Sequence, residues 1–428
     1  MKQISSKEIE KGLEILGKHE DSKLFTHINS CVRCGLCAKS CLYYLAGEDE
    51  RFIPASKVNI VSSVYKRYFT FAGKMVPKLI GARNLDQATV NEMIDLLYGA
   101  CTMCGRCVKN CSVGVDVEYV VRKGREMLAV MGYVPGSLQS TVKAALESGN
   151  NMAILYEDFT DTLDWMEEEL RDELDDTGAR IPLNEPGSKV LYTLNPREPK
   201  FFPLSISAMA KIFYMAKESW TLSTAMYDVT NYAYFSGHPG EAEVISKRMF
   251  DEMVKIKAER LVLAECGHGV RSNRWEAPNY IGKKLPFEVL SSVELIASYI
   301  ENGVICPKKE KVAGKVTLHD PCNLVRGGGI VKEQRYIIKS CVQEFVEMTP
   351  SGIENFCCGG GGGQLAMSEY NERRIKIAEI KADQISKTGA AIVVAPCHNC
   401  IDQLLQINAT YRLNVQIKTL AEIVADSL

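Results

Sequence analysis

Apolar residues recur at helical spacing in the first part of this chain and as short continuous runs in the second. Residues 5–19 place Ile9, Leu13 and Leu16 on one face, which predicts an amphipathic helix. Similar patterns predict helices over Ala55 to Tyr68, Val117 to Val130 and Phe201 to Trp220, the last with Met209, Ile212, Phe213 and Met215 turned to a core. The stretch Gln334 to Met348 also reads as helical, with Cys341 among Ile337, Ile338, Phe345 and Val346. Four apolar runs read instead as buried strands: Lys189 to Leu194, Arg260 to Ala264, Lys315 to His319 and Ala390 to Ala395. Between the two regimes lies an acidic stretch, Asp161 to Asp176, read as a solvated helix face, followed by Pro182, Pro186 and Gly187.

This organisation predicts an α+β multi-domain protein. Residues 1–150 form a helical domain, 151–186 an acidic linker, and 187–310 and 311–428 two α/β halves. The halves look duplicated. Lys189-Val190 leading to Asn195-Pro196-Arg197 matches Lys315-Val316 leading to Asp320-Pro321-Cys322. Tyr234-Phe235-Ser236-Gly237 matches Asn355-Phe356-Cys357-Cys358-Gly359, and Leu261 to Cys266 matches Ile392 to Cys397. A chain of 428 residues has length for two or three cores, and its net charge of −2 gives no basic field for nucleic acid. No apolar run reaches the roughly 18 residues needed to span a bilayer. The N-terminus lacks the apolar core of a secretory signal, so a reducing cytoplasm is expected.

The chemistry lies in the cysteines. Cys31, Cys34, Cys37 and Cys41 form one run, and Cys101, Cys104, Cys107 and Cys111 form another with identical spacing. Each has the spacing of a bacterial ferredoxin run, in which the fourth cysteine ligates the other cluster. The expected sets are therefore crossed. Cys31, Cys34, Cys37 and Cys111 hold one [4Fe–4S] cubane; Cys101, Cys104, Cys107 and Cys41 hold the second. Leu42 and Ser112 replace the proline that usually follows the run, a change that removes no ligand. Between the runs, Tyr65 to Arg83 mixes aromatic residues with Lys66, Arg67, Lys74, Lys78 and Arg83, and is expected to dock a membrane subunit.

A further set, Cys322, Cys357, Cys358, Cys397 and Cys400, falls after predicted strands or beside the glycines 359–363. Glycine lets backbone approach closely and donate N–H groups to sulfur, and leaves an open approach for a substrate. Five thiolates are one more than a cubane or a tetrahedral zinc uses. His319, His398 and His268 lie near these cysteines and Cys266 as candidate proton donors or hydrogen-bonding neighbours. Cys341 reads as core, and Cys306, before Pro307, as unliganded.

The pattern Cys…Cys-Cys-Gly…Cys-x-x-Cys after two ferredoxin runs resembles the cysteine-rich CCG domain. The arrangement is similar to that of the membrane-type heterodisulfide reductase catalytic subunit, and to the DsrK, Tmc and Hmc iron–sulfur subunits of sulfate reducers. The resemblance covers residues 25–428. It implies that Cys322, Cys357, Cys358, Cys397 and Cys400 hold a noncubane [4Fe–4S] cluster and act catalytically on a disulfide or trisulfide, a thiol substrate or a small carrier protein. It also implies a cytochrome b-type membrane partner and a peripheral place on the inner face of the membrane. The alternative within the resemblance is a non-catalytic wire, either in a transmembrane cytochrome complex or beside a flavin enzyme for 2-hydroxyacids or glycerol 3-phosphate. The first half departs from the pattern: Arg197, Ser236 and Gly269 stand where cysteines would, so no cluster is expected there. Cys266 alone remains to face the intact site.

Overall fold

The computed structural model describes residues 4–17, 22–282 and 284–428. Its contacts divide the chain into two units. The first comprises Met1–Ser140, Ala233–Pro239 and Gly359–Ile380; the second comprises Thr141–Tyr232, Gly240–Cys358 and Lys381–Leu428.

The first unit is helical. Helix Ser6–Leu16 starts at Ser5, whose side chain and that of Glu8 cap each other's backbone. It is shorter than the pattern suggests; positions 18 and 19 lie outside the described residues. Helix Pro54–Phe69 opens on proline, which loses nothing where its N–H would have no partner, and it buries Val58, Val61 and Val64. Helix Val117–Val130, capped by Asp116, buries Val120, Val121 and Leu128. The helices pack closely at Gly124, where an added Cβ would stand 2.5 Å from Leu97 and 3.1 Å from Val61.

The second unit holds two parallel four-stranded sheets. In the first, β1 (Val190–Tyr192), β2 (Trp220–Thr221), β3 (Arg260–Leu263) and β4 (Glu288–Ser291) run in the order β2-β1-β3-β4. In the second, β5 (Lys315–Leu318), β6 (Glu344–Glu347), β7 (Ile392–Val394) and β8 (Gln416–Lys418) run in the order β6-β5-β7-β8. The central strands β1, β3, β5 and β7 are the four that the apolar runs predict. They are buried almost throughout, as covered parallel sheets require.

One helical prediction fails in its second half. The helix ends at Cys341, and Glu344–Glu347 is β6, in parallel register with β5. Sheet pairing supplies what local periodicity cannot show, and Phe345 and Val346 pack as strand residues. Helix Leu204–Ala216 buries Met209, Ile212 and Phe213 as expected, whereas Met215 is exposed and Trp220 belongs to β2. The acidic stretch falls in helix Tyr156–Leu174 except for Asp175 and Asp176, which follow its end. Its Phe159, Leu163, Met166 and Leu170 are buried while many of its carboxylates face solvent.

Candidate metal centres

The two cysteine runs turn through left-handed glycines, Gly35 and Gly105, which let each run curl so that its sulfurs face inward. Cys31, Cys34, Cys37 and Cys111 line one cavity. Cys41, Cys101, Cys104 and Cys107 line a second. The fourth cysteine of each run thus joins the first three of the other, in the same sets that crossed ligation names.

The two cavities differ in their surroundings. Cys34 is exposed, and the lining residues Val32, Leu36 and Val113 are themselves exposed. At the second cavity a lysine missed by sequence reasoning, Lys57, is buried with Nζ 3.6 Å from Cys41 Sγ and 3.4 Å from the Phe52 carbonyl. Burial works against its charge, but the facing Cys41, Cys101 and Cys107 thiolates outweigh it and hold the ammonium pKa above the ordinary value. Arg125 is also fully buried. Its guanidinium donates to four carbonyls, those of Leu97, Phe235, Gly362 and Cys101, at 2.6–2.9 Å. No carboxylate is among these partners; the neighbouring Cys101 thiol offsets part of the burial that pulls the Arg125 pKa down.

The glycine loop does not leave an open approach. Residues 359–363 are buried, and a Cβ on Gly361 or Gly362 would press on Thr102 backbone at 2.9 and 2.6 Å. Gly237 is equally tight, with Arg125 backbone 2.5 Å from its Cβ position at φ +95°. These glycines serve close packing against the segments around Cys101 and Arg125.

The five cysteines of the further set gather in the second unit. Cys322 follows β5 and opens a π-helical turn, Asn323–Gly327; Cys397 follows β7 and caps helix His398–Tyr411, which carries Cys400. The carboxyl ends of strands are where open α/β sheets build their sites. Cys322 Sγ lies 4.0 Å from Cys357 Sγ, and Cys358 Sγ 3.5 Å from Cys400 Sγ. A hydrogen bond from Cys400 draws the Cys397 thiol down to about 7 against its burial, with help from the Gly267 N–H at 3.4 Å. All five are buried.

His319 joins this group, with ligand-capable atoms of His319, Cys358 and Cys400 within 4.8 Å of one another. Its two ring nitrogens are buried and have no hydrogen-bond partner among the described residues. Burial, and then the nearby Lys381, keep it neutral. Lys381, also missed by sequence reasoning, is fully buried and donates to Asn355 Oδ1 at 2.7 Å. Burial lowers its pKa to about 8, while Cys358, Asp320, Cys357 and Cys400 resist the fall. His398 and His268 are tied into protein hydrogen bonds: His398 with the Glu265 carbonyl and Ser205 Oγ, both at 3.1 Å, and His268 with Asn399 at 2.6 Å. Cys341 is buried, as its place in the core pattern predicts, and Cys306 is exposed.

The donor chemistry fits iron–sulfur clusters. Each group is all-thiolate, soft, and faced by buried N–H or cationic donors that would stabilise sulfur charge.

In the first half, Cys266 is buried behind the intact site. Its Sγ accepts from Gly269 N–H at 3.3 Å and from Asn195 Nδ2 at 3.5 Å. Burial, and then the charge of Cys397, push its thiol well above the ordinary range. Arg197, at the place of the first missing cysteine, pairs with Asp402 and donates to Asn399 Oδ1 on the helix that bears Cys400.

Residues 27–115 match the 4Fe-4S dicluster domain family, and residues 316–405 the cysteine-rich domain family called CCG. Among curated relatives is the Hdr-like menaquinol oxidoreductase iron-sulfur subunit 2 of Archaeoglobus fulgidus, 26% identical over 90% of this chain and 76% of the relative. One subunit of the dihydromethanophenazine:CoB–CoM heterodisulfide reductase of Methanosarcina mazei is 26% identical over 94% of both chains. The EtfAB:quinone oxidoreductase of Syntrophomonas wolfei is 22% identical over 88% of this chain and 54% of its own length. No described helix is long and apolar enough to cross a membrane. The chain carries an N-terminal 4Fe-4S dicluster domain and a C-terminal CCG domain and is a heterodisulfide reductase-like iron–sulfur electron-transfer protein, similar to these subunits over most of its length.

Proposed function

We propose that this chain is the catalytic iron–sulfur subunit of a membrane-associated redox complex that reduces a disulfide or trisulfide. In this reading Cys31, Cys34, Cys37 and Cys111 bind one cubane, and Cys41, Cys101, Cys104 and Cys107 the other. Cys322, Cys357, Cys358, Cys397 and Cys400 bind a noncubane [4Fe–4S] cluster. The first two clusters supply one-electron transfer from a cytochrome b-type membrane partner, and the third supplies the iron at which an S–S bond is reduced. Reduction of RS–SR′ to two thiols takes two electrons and two protons. The two α/β halves are read as a duplication, supported by their matching strand orders.

The protein's own residues support a direction. The cavity of Cys31 opens to solvent among apolar side chains, which suits a brief electron-transfer encounter. The cavity of Cys41 is backed by two buried cations, Lys57 and Arg125, which favour the more negative, reduced state. At the third site Lys381 offsets thiolate charge, and neutral His319 can present an N–H to sulfur.

The observation that carries the reading is the convergence of five cysteines on one buried place at the ends of β5 and β7. Iron and sulfide analysis tests it: about twelve irons per chain are expected from three four-iron clusters, and about eight would mean that the third site holds no cluster. EPR after oxidation with a thiol substrate should yield a substrate-dependent signal. Cys101→Ser and Cys111→Ser should each remove the signal of a different cubane; loss of the same cubane from both would overturn the crossed sets.

A further inference from the structure

The stretch after helix Pro54–Phe69 leaves large apolar side chains in water. Thr70 caps the short helix Phe71–Met75, and the chain then turns through Val76 and Pro77 with backbone hydrogen bonds from Val76 to Ala72 and from Ala82 to Pro77. On this ordered segment Phe71 is 82% exposed, Met75 67% and Leu79 84%. Val76 and Phe69 are also exposed, at 45% and 39%. Single exposed apolar residues need no explanation, but five within eleven positions form a patch that a soluble face ordinarily avoids.

Along this stretch of the chain the charge has one sign. From Arg51 to Leu85 the sequence contains Arg51, Lys57, Lys66, Arg67, Lys74, Lys78 and Arg83 and no Asp or Glu, in a chain whose net charge is −2. Several of these cations are committed: Lys57 faces Cys41, Arg67 donates to Asn84 and the Gly73 carbonyl, and Arg83 pairs with Glu92. Lys74 and Lys78, which alternate with Phe71, Met75 and Leu79, are exposed.

From this we infer that residues 69–79 seat the protein directly on an anionic bilayer. Phe71, Met75 and Leu79 enter the headgroup boundary, while Lys74 and Lys78 meet lipid phosphates. Charge decides between lipid and a protein subunit. The cytoplasmic loops of membrane proteins carry an excess of Lys and Arg and would repel this face, whereas the anionic leaflet attracts it. The inference goes beyond the proposed reaction, since the surface exists whatever chemistry the clusters perform.

The test is co-sedimentation of the cluster-loaded full chain with vesicles of phosphatidylglycerol mixed with phosphatidylcholine, against vesicles of phosphatidylcholine alone. Binding should be at least about tenfold tighter to the anionic vesicles, and should weaken strongly between about 50 mM and about 500 mM NaCl. Phe71→Ser with Leu79→Ser, and separately Lys74→Glu with Lys78→Glu, should each weaken binding about tenfold or more. Iron content should be unchanged in both, which separates this result from any failure of the cluster assignment. Equal binding to neutral vesicles, or variants that bind like the parent, would overturn the inference. So would an apolar variant that leaves vesicle binding intact but loses its complex, since the patch would then belong to a protein interface.

Discussion

The two sheets of the second unit have the same strand order and different chemistry at their carboxyl ends. After β5 and β7 come Cys322, Cys397 and Cys400; after β1 and β3 come Arg197, Cys266 and His268. The first half supports the second. Gly267 N–H points at Cys397 Sγ, His268 holds Asn399, and Arg197 holds Asp402. The Glu265 carboxyl accepts from the N–H groups of Leu420 and Ala421 at the start of the last helix, at 3.0 and 2.7 Å. One half supplies the thiolates and the other fixes the helix and turn that carry them. A half without those cysteines thus serves as a frame whose polar groups act as supports.

The largest expected effect tests whether the cysteine-bearing half does the chemistry. Cys358→Ala should abolish disulfide reduction and lower the iron content by up to about four atoms, while both ferredoxin-type signals remain reducible by an artificial donor. Full turnover in that variant would move the reaction to a partner and favour the wire alternative.

Next come the buried carboxylates of the two halves. Asp320 is 1% exposed, receives Arg335 at 2.8 and 2.9 Å, and accepts from Gly352 N–H at 2.6 Å. Asp320→Asn takes one of two carboxylates from the half-buried Arg335, which keeps Glu347, and should cost about 2 kcal/mol in thermal or denaturant unfolding. Asp228, in the first half, accepts from Thr230 and Asn151 and has no cationic partner among the described residues, and burial raises its pKa to about 7. Its unfolded pKa is about 3.9, so between the two values the folded state binds more protons and stability falls as pH rises. Asp228→Asn should flatten that part of the stability–pH curve. An unchanged slope would show that another group sets it.

Arg197→Ala asks whether the first half supports the second. It leaves Asp402 without its cation at a side-chain exposure of 22%, and should cost about 2 kcal/mol. The third-site EPR signal should broaden or shift while the two cubane signals stay put. Unaltered spectra would reduce Arg197 to a stability role. The smallest effect is expected of Cys266→Ser. A hydroxyl can keep the hydrogen bonds of Gly269 and Asn195, so iron content should not change and stability should move by less than about 1 kcal/mol. Loss of iron would make Cys266 a ligand and break the division between the halves.

Much of this was legible along the chain, for a physical reason. Ferredoxin spacing is a property of one run, because three sulfurs of a run must reach one cluster. The central strands were legible because strands buried on both faces are continuously apolar. The short outer strands β2, β4, β6 and β8 were not, since two to four residues carry little pattern, and β4, β6 and β8 are besides only partly buried. Lys57, Arg125 and Lys381 were missed, although each sits in register with buried apolar positions of its helix: Lys57 with Ile60 and Val61, Arg125 with Val121 and Leu128, Lys381 with Ile385. A cation in the apolar phase of a helix is the signal that could have found them.

The glycines 359–363 mark the limit most clearly. Their sequence says only that backbone comes close to something. The fold decides that the something is Thr102 beside Cys101, with Arg125 holding Gly362 and Phe235 by their carbonyls. By itself the sequence determined which atoms could bind iron and in what local groups, because ligand type and spacing are covalent facts. Only the tertiary structure decided which buried cations, imidazoles and N–H groups face those sulfurs, because desolvation and charge act through space between residues far apart in the chain.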